Sequence, residues 1–342
     1  MTTPIRRRAR LSGRQVNLLL ELLVPAAIGT GLASWVAGDR WGGWFVLAHR
    51  IVGLGLLVLA PAKLRGPVAA GFRRARPTRW LSAAFGTLVL ATVALGVLHA
   101  TGLWHGVGHW SALWTHELFA FALIPLFVWH LASRPVRPRR ADLDRRALLG
   151  GGLALGAAAA AYAAQQGVVA VAALDGRHRR FTGSHEVASH DPAWMPSVVW
   201  IDDRRPAATD PGGWPLVIAG RPTAVASLRA RARPVVARLD CTGGWWSEQS
   251  WDAVPLRDLV GDRPGRSVRV RSATGYDRFF ARHELDELYL AVGYGGEPLR
   301  PGHGAPVRLV APGRRGYWWV KWVVSVEPDD RPAWLQLPLP LA

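Results

Sequence analysis

Five apolar stretches occupy the first half of this 342-residue chain, and each is long enough to cross about 30 Å of hydrocarbon as a helix. After Leu174 the pattern changes to short mixed runs broken by glycine and proline, as in a globular domain. The sequence therefore predicts a membrane α-helical bundle, with four helices and a fifth anchoring span, followed by a mixed α+β domain. The predicted spans are Val16–Ala37, Trp44–Ala62, Trp80–Ala100, Leu113–Ala132 and Ala147–Leu174.

Basic residues are concentrated at the N-terminus and in the second and fourth connections between the spans. The first connection has only Arg40, and the third, residues 101–112, has no lysine or arginine. Because cytoplasmic loops are rich in these residues, we expect a cytoplasmic N-terminus and a C-terminal domain outside the cell (inner) membrane. The basic residues are Arg6, Arg7, Arg8, Arg10, Arg14, Lys63, Arg65, Arg73, Arg74, Arg76, Arg79, Arg134, Arg137, Arg139, Arg140, Arg145 and Arg146. An aromatic belt at the outer interface is expected from Trp35, Trp41, Trp44, Trp104, Trp110 and Trp114.

The net charge of +18 does not indicate a nucleic-acid partner. Residues 1–146 carry +14 of it and the remainder only +4, so most of the excess belongs to the cytoplasmic connections. The expected divisions are a basic tail over 1–14, the four-helix membrane domain over 15–135, a basic loop with the fifth span over 136–176, and the outer domain over 177–342.

The fifth span begins with two arginines, Arg145 and Arg146, before a glycine- and alanine-rich stretch. This arrangement is typical of a twin-arginine export signal retained as an anchor. The alternative is that both arginines only anchor the helix at the inner face. The first interpretation implies export of a domain already folded around a cofactor.

Histidines within the spans are candidates for haem ligands, because ionisable residues are costly in a bilayer. His49, His99 and His116 lie at a similar depth near the outer ends of three antiparallel spans. Facing imidazoles are what bis-histidine ligation of haem b needs. We expect His49 and His116 as the iron ligands, with His99 as the alternative to either, and Arg50 as a partner for a haem propionate. The competing interpretation is hydrogen bonding between helices by neutral histidines.

His130 follows His116 by 14 residues, about 21 Å along a helix and close to the same face. In two-haem bundles this spacing marks two stacked haems, but the first three spans offer no second histidine at that depth. One haem is therefore expected. His105 and His109, in the outer loop, are assigned to the surface or to a quinone site. The arrangement resembles bacterial membrane cytochromes b over about Gln15–Arg134.

The only cysteine, Cys241, follows a predicted strand and precedes the pair Gly243-Gly244. One thiol cannot form an intrachain disulfide or a multi-cysteine metal site. Its place between a strand and a tight turn is usual for site residues, although free cysteine is also often buried and inert.

The remainder of the outer domain is rich in predicted strands. Strands are predicted over Pro215–Ala219, Val235–Leu239, Ser267–Ser272, Pro306–Val310 and Tyr317–Val326, and short helices over Ala224–Ala232, Leu256–Val260 and His283–Tyr289.

An ordered set of motifs in this domain resembles the molybdopterin-dependent oxidoreductases of the sulfite oxidase fold, over most of Arg177–Glu327. The motifs are Arg180–Ser184, Leu239–Trp245, Ser272–Tyr276, His303–Arg308 and Trp318–Trp322. The resemblance implies that the Cys241 thiolate binds molybdenum. It further implies that the cofactor is bound by Phe181, Thr182, Gly183 and Ser184 near the domain start, by Thr274 and Tyr276 on a lining loop, and by His303, Arg308 and Lys321 around the pterin and its phosphate.

The residues after Cys241 depart from the sulfite oxidase pattern, in which arginines for an anionic substrate follow the cysteine closely. Here Gly243–Glu248 follow instead. This favours a sulfoxide-like or unassigned substrate over sulfite, although Arg238 and Arg278 offer positive charge.

These features predict a membrane-anchored molybdenum oxidoreductase that acts on a small molecule. A membrane haem would relay its electrons to or from the quinone pool or another membrane redox partner. The alternative is a non-enzymatic cytochrome b electron carrier with a degenerate molybdopterin-fold docking domain. In a third interpretation the spans bind no haem and serve only as an anchor.

Overall fold

The computed structural model describes residues 11–36, 38, 41–108, 110–197, 205–207 and 210–337. The chain divides into two compact units: Met1–Ser34 with Arg40–Gly183, and Trp35–Asp39 with Ser184–Ala342. Arg6, Arg7, Arg8, Arg10, Arg40 and His109, which the sequence singled out, lie outside the described residues.

The first unit is built from helices, five of which are long and apolar enough to cross a membrane. Each coincides with one of the apolar stretches predicted from the sequence. The helices are α1 (Gly13–Val36), α2 (Gly42–Lys63), the short α3 (Ala69–Arg73), α4 (Arg79–Thr101), α5 (Ala112–Ser133) and α6 (Arg145–Val171). Helix α2 continues into α3 through a wider π-helical turn at Leu64–Val68.

Polar side chains fix where two of these helices begin. The Ser111 hydroxyl accepts a hydrogen bond from the Trp114 N–H at 3.1 Å and caps α5. The Asp144 carboxylate accepts one from the Ala147 N–H at 2.7 Å and caps α6. The pair Arg145-Arg146 therefore forms the first turn of the fifth long helix.

Apolar side chains cover the outside of these helices as well as the inside. Val24, Leu56 and Phe127 pack together in the interior. Leu22, Val128 and Leu148 are each more than half exposed. A soluble protein rarely exposes large apolar side chains over so wide a surface.

The second unit contains a six-stranded and a five-stranded sheet. The strands are β3 (His185–Glu186), β4 (Val217–Ile218), β5 (Arg221–Pro222), β6 (Arg233–Asp240), β7 (Trp245–Pro255), β8 (Ser267–Ser272), β9 (Asp277–Ala281), β10 (Tyr289–Tyr294), β11 (Glu297–Pro298), β12 (Arg308–Val310) and β13 (Val323–Asp329). In the six-stranded sheet, the order is β11-β10-β7-β3, with β6 also paired to β7 and β12 to β10; in the five-stranded sheet it is β5-β4-β13-β8-β9. Two-residue strands β1 (Gly106–Val107) and β2 (Trp110–Ser111) belong to the loop before α5, and the short helices are α7 (Val225–Arg231) and α8 (Leu256–Val260).

Several predicted elements of this unit are found, and two differ. Helix α8 and strand β8 have the predicted bounds. The predicted short helix His283–Tyr289 is found as a 3-10 helix over Arg282–Glu287, which ends before β10 begins at Tyr289. The predicted strand Tyr317–Val326 begins only at Val323, because a 3-10 turn at Gly316–Trp318 interrupts it.

The longest strand, β7, was not predicted. Its side chains alternate between buried and partly buried along Trp245–Ala253. Two of the inward positions are polar, Ser247 and Gln249, and this hides the alternation of hydrophobicity. The Gln249 amide donates to the Ser247 hydroxyl at 2.9 Å and to the Ala188 carbonyl at 2.7 Å. These bonds make burial of the polar pair tolerable.

Candidate functional site

Cys241 lies directly after β6, in the turn that leads into β7. The Cys241 N–H donates to the Trp245 carbonyl at 2.8 Å, and Gly244 takes a left-handed φ of +88° that closes the turn. The Cys241 Sγ accepts a hydrogen bond from the Gly243 N–H at 3.4 Å. The thiol is partly buried beside the hydrophobic core, so the predicted junction of strand and loop is confirmed.

Burial and the neighbouring cations shift the pKa of the Cys241 thiol in opposite directions. Burial raises the pKa of the thiol, while the Gly243 N–H and the cations Arg315 and Lys321 lower it. The neutral thiol is therefore favoured when nothing is bound. A bound metal ion would supply the additional positive charge that keeps the sulfur deprotonated.

A buried network that the sequence did not reveal anchors this turn. The Arg315 guanidinium donates to the Asp240 carboxylate at 2.6 Å and to the Cys241 carbonyl at 3.2 Å. The Ser184 hydroxyl donates to the same carboxylate at 2.7 Å. Ser184 thus contacts the strand end behind Cys241. Arg315 stands in no motif of the resemblance, and only its position shortly before Trp318–Trp322 could have drawn attention to it.

Arg308 is an almost fully buried cation, with 1% of its surface exposed. It donates to the His303 carbonyl at 2.9 Å and lies over the ring of Trp251, but its Nε has no hydrogen-bond partner. Among the described residues no carboxylate pairs with it, and burial lowers its pKa to about 9. A buried charge without a counterion is costly, so this arrangement fits an anionic group such as a cofactor phosphate.

His303 is held by protein groups on both ring nitrogens. Its Nε2 donates to the Met195 carbonyl at 3.1 Å, and its Nδ1 accepts from the Tyr294 hydroxyl at 2.7 Å. Burial, with the nearby charges of Arg308 and Lys321, lowers its pKa to about 4. His303 is therefore a neutral, fixed imidazole whose backbone carbonyl orients Arg308. Its predicted direct contact with the pterin stays a prediction.

Gly304 allows the basic residues to approach one another. Its φ is +100°, and a Cβ there would lie 3.0 Å from the Cβ of Lys321 and 3.1 Å from that of Arg308. The Lys321 Nζ donates to the Gly302 carbonyl at 2.6 Å. Only glycine fits this backbone, and it brings two of the predicted basic residues to the same place.

The predicted lining loop lies between β8 and β9. The Thr274 Oγ1 is 3.0 Å from the Ser272 Oγ, and the Tyr276 hydroxyl donates to the Tyr317 carbonyl at 2.7 Å. Burial raises the pKa of Tyr276 to about 12. Because the Ala273 N–H also donates to the Trp322 carbonyl, the loop is attached to the chain on both sides of Lys321.

Arg238 and Arg278, which the sequence offered as positive charge for a substrate, both contact other protein groups. Arg238 donates to the Glu248 carboxylate at 2.7 Å and lies over the ring of Trp246. Arg278 is buried among Tyr276, Tyr317 and Trp318. Positive charge near the thiol comes instead from Arg315 and Lys321.

In the first unit, Phe181, Thr182 and Gly183 form a tight turn before Ser184. Gly183 has a φ of +84°, and its carbonyl accepts from the Arg179 guanidinium at 2.9 Å. A Cβ on Gly183 would lie 3.7 Å from the Arg50 guanidinium. Burial and Arg50 lower the pKa of Arg179 to about 10, so two cations are close together here.

His49 and His116 are brought together inside the helices. Their ring centroids are 5.8 Å apart and their planes nearly perpendicular. The His49 Nδ1 donates to the Ala27 carbonyl at 2.9 Å, and the His116 Nδ1 donates to the Thr92 carbonyl at 2.8 Å. In each neutral imidazole Nδ1 therefore carries the hydrogen, and Nε2 is the acceptor nitrogen.

The other histidines occupy different surroundings. His99 lies in the last turn of α4. His105 pairs with Asp175 at 3.0 Å and is about half exposed. His130 is buried near the end of α5, with its ring stacked on Phe85. Within the described part of the chain, no cluster of three or more histidine, cysteine or acidic side chains is arranged to hold a metal ion.

Comparison with known proteins identifies the domain that contains the thiol. Residues 206–334 match the family described as "Oxidoreductase molybdopterin binding domain". The chain therefore carries an oxidoreductase domain that binds molybdopterin, as the sequence predicts. The match begins after Phe181–Ser184 and includes Cys241, Arg308 and Lys321.

Known proteins that resemble parts of this chain include a nitrate reductase and a sulfane dehydrogenase. Over 81 residues, 23% of this chain, it is 48% identical to "Nitrate reductase [NADPH]" of Mycosarcoma maydis. The matched segment covers only 8% of that protein's length. The crystal structure of the sulfane dehydrogenase SoxCD from Paracoccus pantotrophus matches with 27% identity and a TM-score of 0.31, over 34% of this chain and 36% of that one. A score this low does not establish a shared overall fold.

Replacing Arg308 with methionine should separate cofactor binding from folding. Met removes a buried charge while keeping a long side chain, so we expect the free energy of unfolding of the cofactor-free chain to fall by no more than about 1 kcal/mol. Molybdenum per chain should fall at least tenfold, as elemental analysis would measure. The matched control is Arg221→Met on exposed β5. Unchanged molybdenum in Arg308→Met would contradict the assignment.

The neutral state of His303 should make stability depend on pH. Its folded pKa of about 4 lies below the ordinary 6.5, so the unfolded chain takes up the proton first as pH falls. Stability is fully present above about pH 6.5 and should decrease by up to about 3 kcal/mol towards pH 4. Thermal unfolding of wild type and His303→Gln across this range would test it. An equally steep loss in the variant would show that other groups are responsible.

Proposed function

We propose that this protein is a membrane-anchored molybdenum oxidoreductase that acts on a small molecule. The observation that carries the proposal is the buried, uncompensated cation Arg308 in the same domain as the turn bearing Cys241, with Arg315 and Lys321 close enough to affect the thiol's charge. The family match over residues 206–334 supplies the identity of the group that such a site would hold.

Each site residue has a task that follows from its contacts. Cys241 would ligate the metal through its thiolate, and Arg315 fixes the turn that presents it. Arg308 would bind the anionic part of the pterin, and Lys321 would close the same side. His303 holds Arg308 through its backbone carbonyl. When bound, this group supplies two-electron or oxygen-atom exchange with the substrate.

The substrate is proposed to be a sulfoxide-like neutral oxide rather than sulfite. Trp246 and Glu248 follow the thiol on β7, and Glu248 pairs with Arg238. The pairing neutralises the Arg238 guanidinium, and Asp240 likewise neutralises Arg315. Trp246 therefore lies beside the turn with little net positive charge beyond that of Lys321. Such a surface favours a neutral substrate over an anionic one.

A haem b is proposed between His49 and His116. Both imidazoles already donate Nδ1–H to backbone carbonyls and leave Nε2 available. Arg50 and Arg179 form a nearby pair of cations that suits the propionates. When bound, haem supplies one-electron exchange, which would connect the molybdenum domain with the quinone pool.

The helices are proposed to span the cell (inner) membrane, with the N-terminus in the cytoplasm and the second unit outside it. Support comes from five long apolar helices, their exposed apolar side chains and the basic second and fourth connections. In this orientation His49 and His116 lie in the outer half of the membrane. The non-enzymatic alternative, an electron carrier, has no observation of its own in its favour.

Replacing Cys241 with serine should abolish activity and metal binding together. Serine is a poor ligand for a soft metal centre, so we expect molybdenum per chain and turnover of a sulfoxide to fall by more than tenfold. Thr242→Ser, at the next position, is the control and should retain both. A Cys241→Ser protein with normal molybdenum and turnover would end the proposal.

Replacing His49 or His116 with alanine should remove the haem. We expect each substitution to eliminate the b-type bands of a reduced-minus-oxidised spectrum, because each removes one axial ligand. His105→Ala, at an exposed position, should leave the bands unchanged. If His99→Ala removes the bands while His49→Ala keeps them, the ligand assignment is wrong.

A further inference from the structure

The histidine pair belongs to a set of four positions, one on each of four helices. A Cβ on Gly31 of α1 would lie 3.1 Å from the His49 ring, and a Cβ on Gly96 of α4 would lie 3.1 Å from the His116 ring. We call Gly31, His49, Gly96 and His116 the histidine set. Each imidazole therefore packs against a glycine on a neighbouring helix, where no side chain fits without a shift.

A second set of four lies 14 residues away on the same helices. Fourteen residues correspond to about 21 Å and nearly four full turns, which returns to almost the same face. Asn17 and Ser82 lie 14 residues before Gly31 and Gly96, on α1 and α4. Lys63 and His130 lie 14 residues after His49 and His116, on α2 and α5. All four line one cavity. We call them the offset set.

The offset set lacks the features of a bis-histidine haem site. Asn17 and Ser82 replace the two glycines, and Lys63 replaces one histidine. The Lys63 Nζ donates to the Asn17 side chain, which in turn donates to Glu21 at 2.6 Å. Phe85 stacks on the remaining ring, with centroids 5.4 Å apart. A phenyl ring therefore occupies one face of the imidazole.

The cavity is apolar with a few polar groups at its edge. Its volume is about 80 Å³, several times the roughly 10–15 Å³ that one water needs. His130 is 6% exposed, and its Nδ1 has no hydrogen-bond partner. Leaving a buried polar atom unpaired is costly, so this nitrogen favours a polar group of a ligand in the cavity. The apolar lining includes Leu20, Val24, Leu56, Val89, Leu90 and Phe127.

We propose that this cavity binds the head group of a lipid-soluble quinone. A quinone is a flat apolar ring with two carbonyl oxygens on opposite sides, so it needs apolar walls and two hydrogen-bond donors. His130 and Lys63 are such donors on two different helices, and Phe85 and Phe127 offer aromatic surface. The inference rests on the proposed function, which requires a redox partner in the lipid phase.

The redox reaction at this site balances with the groups already proposed. Oxidation of a quinol to a quinone breaks the O–H bond at each oxygen and releases two electrons and two protons. Reduction of a sulfoxide-like oxide consumes two electrons and two protons, and its oxygen leaves as water. His49 and His116 would hold a haem that supplies one-electron exchange, and the quinol protons would leave through the Lys63–Asn17–Glu21 group.

Photolabelling of the full-length chain in detergent would test the site directly. The probe is a short-tailed azido-benzoquinone, and labelled peptides are mapped by mass spectrometry. We expect labelling on α1, α2, α4 or α5 at the cavity residues, and displacement by an excess of unlabelled decyl-benzoquinone. A parallel competition with a short-tailed naphthoquinone distinguishes the two quinone classes. Displacement by phospholipid alone, or labelling only elsewhere, would overturn the proposal.

Three variants separate loss of the site from loss of folding. His130→Leu and Lys63→Met remove one donor each and should reduce displaceable labelling at least tenfold. Leu20→Phe fills the cavity while keeping both donors and should do the same. His283→Leu, at an exposed position of the second unit, is the control and should label normally. Retained labelling in all three variants would overturn the site, provided that the helical circular dichroism of each is native.

A haem count distinguishes this inference from the function on which it rests. One haem per chain with cavity labelling supports both. Two haems would overturn the inference, because the offset set would then hold the second. One haem without cavity labelling overturns the quinone site alone. Cavity labelling without haem keeps the quinone site and removes the haem from the proposed function.

Discussion

The buried ion pair between Arg315 and Asp240 is the interaction on which the Cys241 site depends. It fixes the end of β6 and, through the Cys241 carbonyl, the turn that carries the thiol. A buried pair of this kind adds little stability compared with apolar packing, but breaking it leaves an uncompensated charge. The ion pair therefore restricts the turn to one arrangement more than it stabilises the fold. Ser184, from the start of the second unit, joins the same carboxylate and connects the beginning of the domain to its centre.

Arg308 shows the opposite electrostatic situation in the same domain. Arg315 has its counterion within the protein, whereas Arg308 has carbonyl groups and aromatic rings around it. Burying the Arg308 charge without a counterion costs free energy, and an anionic ligand from outside the chain would offset that cost. The two arginines therefore differ: Asp240 neutralises Arg315 within the fold, whereas Arg308 is buried with no carboxylate partner among the described residues.

The sequence predicted features that recur along the chain and features that depend on the type and order of a few residues. The five apolar stretches, the strand before Cys241 and the spacing of His49 and His116 all have this character. It did not predict β7, because buried Ser247 and Gln249 interrupt the apolar alternation, or the role of Arg315, because a buried arginine looks like a surface one until its carboxylate is located. The offset set was invisible for a similar reason: Asn17 and Lys63 acquire meaning only once Gly31 and His49 are seen to lie together.

The equal spacing of the two sets constrains how the helices can change length. One residue inserted between Asn17 and Gly31, or between Lys63 and His49, would turn one end of the helix by about 100° relative to the other. The glycine would then rotate away from its imidazole, or the lysine away from the cavity. Such helices should accept added or lost residues at their ends and in connecting loops but resist them in between, so that rotational phase, more than hydrophobicity, limits their divergence.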